Sequence, residues 1–105
     1  MRNFKDTLLE DLQNTQYANE YLSAALEEYE KDRDTRAFLT ALRDVAKVRG
    51  GLAKLAEKTN LNRQNLYKAL STKGSPKFDT VETLLNGLGF KLTVQAITDK
   101  NSLKA

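Results

Sequence analysis

The chain has 105 residues, enough for one compact domain and too few for two of ordinary size. It contains no cysteine and no histidine, which excludes disulfides, Cys/His metal sites and catalytic groups built on those residues, and we expect no cofactor. No apolar run approaches the ~18 residues that a membrane helix needs, and the first residues lack the apolar core of a signal peptide, so we expect a cytoplasmic protein.

Charge is distributed unevenly along the chain. Residues 1–34 hold four cations and nine anions, a net charge of −5, whereas residues 35–105 hold thirteen cations and five anions, a net charge of +8. An acidic region followed by a basic one indicates two different surfaces, and the basic surface suits a polyanion. The alternative is a lysine-rich face that only contacts solvent.

Two helices are predicted in the acidic region. The apolar residues of "FKDTLLEDL" are spaced for a short amphipathic helix, and those of "LQNTQYANEYLSAALEEYEKD" for a longer one, with Asn14 as its N-cap. The longer helix places Tyr17 and Tyr21 one turn apart and ends in a cluster of carboxylates. This end is either a solvated surface or a surface that holds a basic protein partner, and the pattern does not separate the two.

The next segment, "DTRAFLTALRDVAKVRGG", predicts a helix with one continuous apolar stripe. Asp34 or Thr35 can cap its start, and the pair Gly50-Gly51 can end it because glycine adopts left-handed backbone without penalty. Two short helices follow in "LAKLAEKT" and "NRQNLYKALS". After a loop in "STKGSPK", the segment "FDTVETLLNGLG" predicts another helix.

The apolar period changes near the end of the chain. In "FKLTVQA", Phe90, Leu92 and Val94 alternate with polar residues, which predicts a half-buried strand. No second strand is predicted, and a lone strand leaves its backbone groups unpaired. Pairing with the same strand of a second copy would satisfy them, so we expect a homodimer with these three residues at the interface. The alternative is an extended tail packed on the helices.

The two short helices predict a helix-turn-helix. Asn60 suits the left-handed turn between them, and Ala56 permits the helices to approach closely. Leu61 and Leu66 would pack the second helix onto the first. A packed helical pair with a solvated outer face is the alternative, but the local excess of cations favours DNA.

The side chains of the second helix suit the DNA major groove, into which an α-helix fits. Arg63 has the geometry to bind guanine, Gln64 to bind adenine, and Lys68 to reach a base or a phosphate. Tyr67 either contacts a phosphate or packs against the next helix. The residues with polar groups suited to phosphate contacts are Asn62, Asn65, Lys54, Thr72 and Lys73.

The sequence from "AFLTALRDVAKVRGG" to "GLGFKLTV" closely resembles the addiction-module antidote proteins, over about residues 17–95. The most specific stretches are "ALRDVAKVRGG", "NLYKALS" and "SPKFDTVETLLNGLGFKLTV". These proteins are helix-turn-helix antitoxins of the Xre-like, lambda-repressor-like class, related to HigA-type antitoxins. The resemblance implies an antitoxin that neutralises a small basic RelE/ParE-like toxin and represses the shared operon by binding operator DNA. It also places base-reading residues at Arg63, Gln64 and Lys68, with Asn62 and Asn65 toward the DNA backbone.

The sequence departs from the family pattern at two positions. Asn60 stands where glycine is frequent, and it tolerates the same backbone conformation. Lys77 stands where serine is frequent as an N-cap, which weakens the cap by about 1 kcal/mol.

The expected fold is mainly α, a lambda-repressor-like bundle of about five helices with one C-terminal β-strand paired across a dimer. We expect an acidic helical region over 1–34, a helix-turn-helix DNA-binding domain with the strand over 35–97 and a flexible tail over 98–105. The alternative function is a protein-interaction module or a general transcriptional regulator without a toxin partner. An enzyme is disfavoured, because no pair of candidate acids and bases recurs at a spacing that indicates a shared site.

Overall fold

A computed structural model describes residues 4–71 and 73–98 of the chain. These residues form six α-helices: α1 Phe4–Asp11, α2 Thr15–Asp32, α3 Arg36–Val48, α4 Gly51–Thr59, α5 Arg63–Ala69 and α6 Phe78–Gly87. The predicted helical bundle is therefore confirmed, with six helices in the described ranges rather than about five. How the chain divides into the three predicted regions stays a prediction.

The helix starts follow local capping chemistry. The Asn14 side chain accepts a 2.9 Å hydrogen bond from the backbone N–H of Tyr17, which confirms the predicted N-cap of α2. At α3, Thr35 already has helical backbone angles and makes no side-chain cap, whereas the Asp34 carboxylate accepts from the Arg36 N–H at 2.9 Å. The Arg36 guanidinium also binds this carboxylate and lowers the pKa of Asp34 to about 2.

The core is organised around α3. Its predicted apolar stripe is buried, and α1, α2 and α4 all pack against this helix. Leu12 and Leu22 from the acidic region join the same apolar cluster as Leu66 and Leu84 from the basic region. The acidic helices are thus part of one continuous core.

One carboxylate lies inside this core. Asp44 of α3 is only 3% exposed, and it accepts a 2.9 Å hydrogen bond from the Tyr21 hydroxyl and a 2.5 Å contact from the Lys5 ammonium. The sequence alone gives no sign that this carboxylate is buried. A buried carboxylate is stable only when paired, and here the partners come from α1 and α2.

The chain direction changes where the sequence permits left-handed backbone. Gly50 and Gly51 have φ of +106° and +86°, which confirms that this pair ends α3. Gly87 of α6 is required for a different reason. A Cβ atom there would lie 2.7 Å from Cγ2 of Thr59, so its absence lets α6 pack closely on α4.

The predicted C-terminal strand is wrong for the part of the chain that the structure describes. Residues 91–98 form no ladder, because the described residues supply no second strand to pair with them. Phe90 and Leu92 instead pack partly buried against the core, as the extended-tail alternative predicted. Val94 is fully exposed. Residues 99–105 of the predicted flexible tail lie outside the described residues.

Candidate nucleic-acid interface

Helices α4 and α5 are joined by the predicted tight turn. Asn60 has φ of +59°, and the carbonyl of Ala56 accepts from the backbone N–H of Asn60 and, at 3.2 Å, from that of Leu61. Ala56 is buried where the two helices approach, and Leu66 of α5 is 1% exposed. This apolar contact fixes the orientation of α5 on the rest of the protein.

Asn62 begins α5 as its N-cap. The side-chain oxygen accepts from the backbone N–H groups of Gln64 at 2.8 Å and Asn65 at 3.3 Å, which confirms the predicted cap. Because this oxygen is engaged in the cap, any contact from Asn62 to a ligand has to use its amide NH₂ group.

The outer face of α5 is polar and exposed. Arg63 and Tyr67 are separated by one turn, as are Gln64 and Lys68, so the four side chains form one continuous face opposite the buried Leu66. Tyr67 is 48% exposed, which favours the surface alternative for its hydroxyl. Each side chain predicted on this face is accessible to a ligand.

A second polar surface adjoins α5, between this helix and the start of α6. Asn65 and Lys68 of α5 line a shallow hollow together with Lys73 and Lys77 of the connecting loop. Lys77 occupies the N-cap position of α6 without a side-chain cap, which leaves helix N–H groups free to bind an anion. The sequence alone indicates Lys77 mainly as a weakened N-cap. Its position directly before the predicted helix "FDTV" is the signal that places a cation at a helix start, where an anion can bind.

Lys54 and Arg49, two further cations of the basic region, do not line this hollow. Lys54 is exposed at the first turn of α4, with its aliphatic chain beside Gly50, and it does not line this hollow. The predicted contact at Thr72 lies outside the described residues. Arg49, counted with the basic region, has a structural role: its guanidinium donates to the Thr15 hydroxyl at 2.9 Å and stacks 5.2 Å from the Phe90 ring.

Within residues 4–71 and 73–98, no group of acidic side chains is arranged to hold a metal ion. None of the described helices is long and apolar enough to span a membrane.

Comparison with known proteins shows which family the chain belongs to. The model of the family described as "probable addiction module antidote protein" matches residues 3–96. An uncharacterized protein of Haemophilus influenzae (strain Rd) is 32% identical over 78 residues, which are 74% of this chain and 79% of that protein. No solved structure matches the chain. An antidote implies a toxin partner and a role other than catalysis. Since the family match spans nearly the whole sequence, the chain belongs to the family of probable addiction module antidote proteins.

Proposed function

We propose that this antidote binds operator DNA as a dimer, represses its own toxin–antidote operon, and neutralises a RelE/ParE-like toxin. The observation that carries the DNA part is the outer face of α5, where Arg63, Gln64 and Lys68 are exposed together on a helix fixed by the core. Family membership supports the toxin part.

The side chains at the start of α5 suit base recognition. The N-terminal residues of a recognition helix contact base edges in the major groove. Arg63 and Gln64 occupy the first turn of α5, the part of the helix that comes nearest to the bases. Arginine pairs with O6 and N7 of guanine, and glutamine pairs with N6 and N7 of adenine. We assign sequence recognition to these two residues.

The neighbouring hollow suits the phosphate backbone. Lys68, Lys73 and Lys77 line it, and the uncapped start of α6 adds backbone N–H donors. Contacts of this kind position a protein on the duplex without reading its sequence. We therefore assign affinity and register to the hollow, and specificity to Arg63 and Gln64.

A dimer would place two copies of α5 on one operator. Helix-turn-helix dimers contact half-sites about one DNA turn apart. Of the three predicted interface residues, Phe90 and Leu92 already pack on their own chain, whereas Val94 is 101% exposed and the following Ile97 is 64% exposed. We propose that the interface is formed by the exposed residues around Val94.

The proposal is tested by gel shift with DNA from upstream of this protein's own gene, at near-physiological salt. A scrambled duplex of equal length and composition is the control, because non-specific binding depends only on charge. A shift at lower protein concentration on the upstream DNA supports the proposal. No shift on either duplex, together with tight toxin binding, would favour a protein-interaction module.

A further inference from the structure

An apolar groove lies where the end of α2, the start of α3 and the start of α6 meet. It encloses about 350 Å³, which is room for one or two large side chains. Its apolar lining is contributed by Leu26, Tyr29, Phe38, Phe78, Val81 and Leu92. Ser75 and Pro76 separate it from the lysine-lined hollow, since both residues line both features.

Phe78 marks the rim of this groove. It is the first residue of α6 and is 74% exposed, although its side chain is fully apolar. Phe38, by contrast, lines the groove floor and is only 6% exposed. An exposed aromatic side chain beside an apolar recess is typical of a surface that binds another protein.

The α2 side of the groove is acidic. Glu27 and Glu30 directly follow the groove residues Leu26 and Tyr29 in the chain, are exposed, and form no ion pair with other residues in the ranges 4–71 and 73–98. Glu28 nearby is paired with Lys31 at 3.6 Å. Carboxylates at this edge repel DNA phosphates and attract a cationic partner, so this surface has the opposite preference from α5.

We infer that this groove and the acidic end of α2 form the docking site for the toxin, which inserts an apolar side chain beside Phe78 and places Lys or Arg residues against Glu27 and Glu30. This inference rests on the proposed neutralisation of a basic toxin. The apolar side chain anchors the complex because burial of Phe78 removes its exposed surface from water. The flanking cations orient the toxin and accelerate its association.

The experiment measures the affinity of the full chain for the toxin encoded by the adjacent gene, by calorimetry. Two variants change the groove, Phe78→Ser and Glu30→Lys. The control is Glu20→Lys, which makes the same charge change on an exposed residue of α2 about 15 Å away along the helix axis. We expect each groove variant to weaken toxin binding about tenfold or more, and the control to change it less than about twofold. Retained gel shift on upstream DNA verifies the fold of each variant.

The possible failures are distinguishable. Wild-type affinity in both groove variants would overturn the docking site and leave the proposed function intact. Equal weakening by Glu20→Lys and Glu30→Lys would assign the effect to general charge attraction and overturn the groove assignment. If the wild-type chain does not bind the adjacent gene's product, the proposed neutralisation fails and the docking site fails with it.

Two further measurements distinguish the toxin from two other occupants of the groove, a second copy of the chain and the chain's own end. A dimer of the isolated chain that Phe78→Ser alone converts to a monomer in sedimentation would assign the groove to a second copy. Wild-type toxin affinity in both groove variants, together with a chain that becomes less stable when residues 99–105 are deleted, would assign it to the chain's own end. Either result would overturn the inference.

Discussion

The phenolic hydroxyl of Tyr21 donates a 2.9 Å hydrogen bond to Oδ2 of Asp44. The other oxygen of this buried carboxylate lies 2.5 Å from Nζ of Lys5. Asp44 therefore joins α1 and α2 to α3, the helix on which α4 also packs. The acidic N-terminal helices and the candidate DNA-binding helices are thus supported by the same central helix.

Replacement of Asp44 by alanine should lower the free energy of unfolding by about 2–3 kcal/mol, because the partly buried Tyr21 hydroxyl loses its hydrogen-bond partner. Urea unfolding followed by circular dichroism measures the change. Glu57→Ala removes an exposed carboxylate from α4 and should change stability by less than about 0.5 kcal/mol. Equal effects of the two substitutions would contradict a structural role for the buried carboxylate.

Alkaline pH should weaken the same contact. Burial, followed by the hydrogen bond to Asp44 and the charge of Asp44, raises the pKa of Tyr21 from its ordinary value of 10.0 to about 12. Because the folded pKa lies above the unfolded one, this contribution is complete below pH 10 and is lost as the pH rises toward 12. Urea unfolding at several pH values should show a decline in stability over that interval, and Tyr21→Phe should make it shallower. An identical decline in Tyr21→Phe would assign it to other groups.

Sequence predicts best where the determining contacts are local. Asn60 and Asn62 are predicted correctly because a left-handed turn and an N-cap depend on residues within one helical turn. Asp44 is missed, since its burial depends on Lys5 and Tyr21, which lie 39 and 23 residues away in the chain. No periodicity carries that information.

The C-terminal segment illustrates a second limit. Its apolar alternation correctly indicates that Phe90 and Leu92 face the core. The alternation does not supply a hydrogen-bonding neighbour, however, and a strand needs one. The hollow beside α5 is similar, because Lys68, Lys73 and Lys77 converge only through the path of the loop between α5 and α6.

Val94→Asp should reduce dimerisation without unfolding the chain, because Val94 is fully exposed and makes no contribution to the core of a single copy. Analytical ultracentrifugation measures the oligomeric state. The matched control is Gln95→Asp, which adds a negative charge at the neighbouring exposed position. A dimer that persists in Val94→Asp at unchanged affinity would exclude this interface but not DNA binding.

Lys73→Ala should weaken binding to every DNA sequence alike, because a phosphate contact carries no sequence information. The slope of log affinity against log salt concentration should fall by about 1, as expected for one lost phosphate contact. Fluorescence anisotropy over a salt series measures the slope. Lys31→Ala on the acidic helix α2 is the control and should leave the slope unchanged. A selective loss on the operator alone would instead make Lys73 a base-reading residue.

Recognition of the operator sequence by α5 is tested by the substitution Arg63→Ala. Anisotropy should be measured for the wild-type chain and this variant on upstream DNA and on a scrambled duplex, at one salt concentration. We expect Arg63→Ala to cost roughly 1–3 kcal/mol on the upstream DNA and much less on the scrambled duplex, so that the ratio of the two affinities falls. An unchanged ratio would contradict the assignment of Arg63 to base recognition.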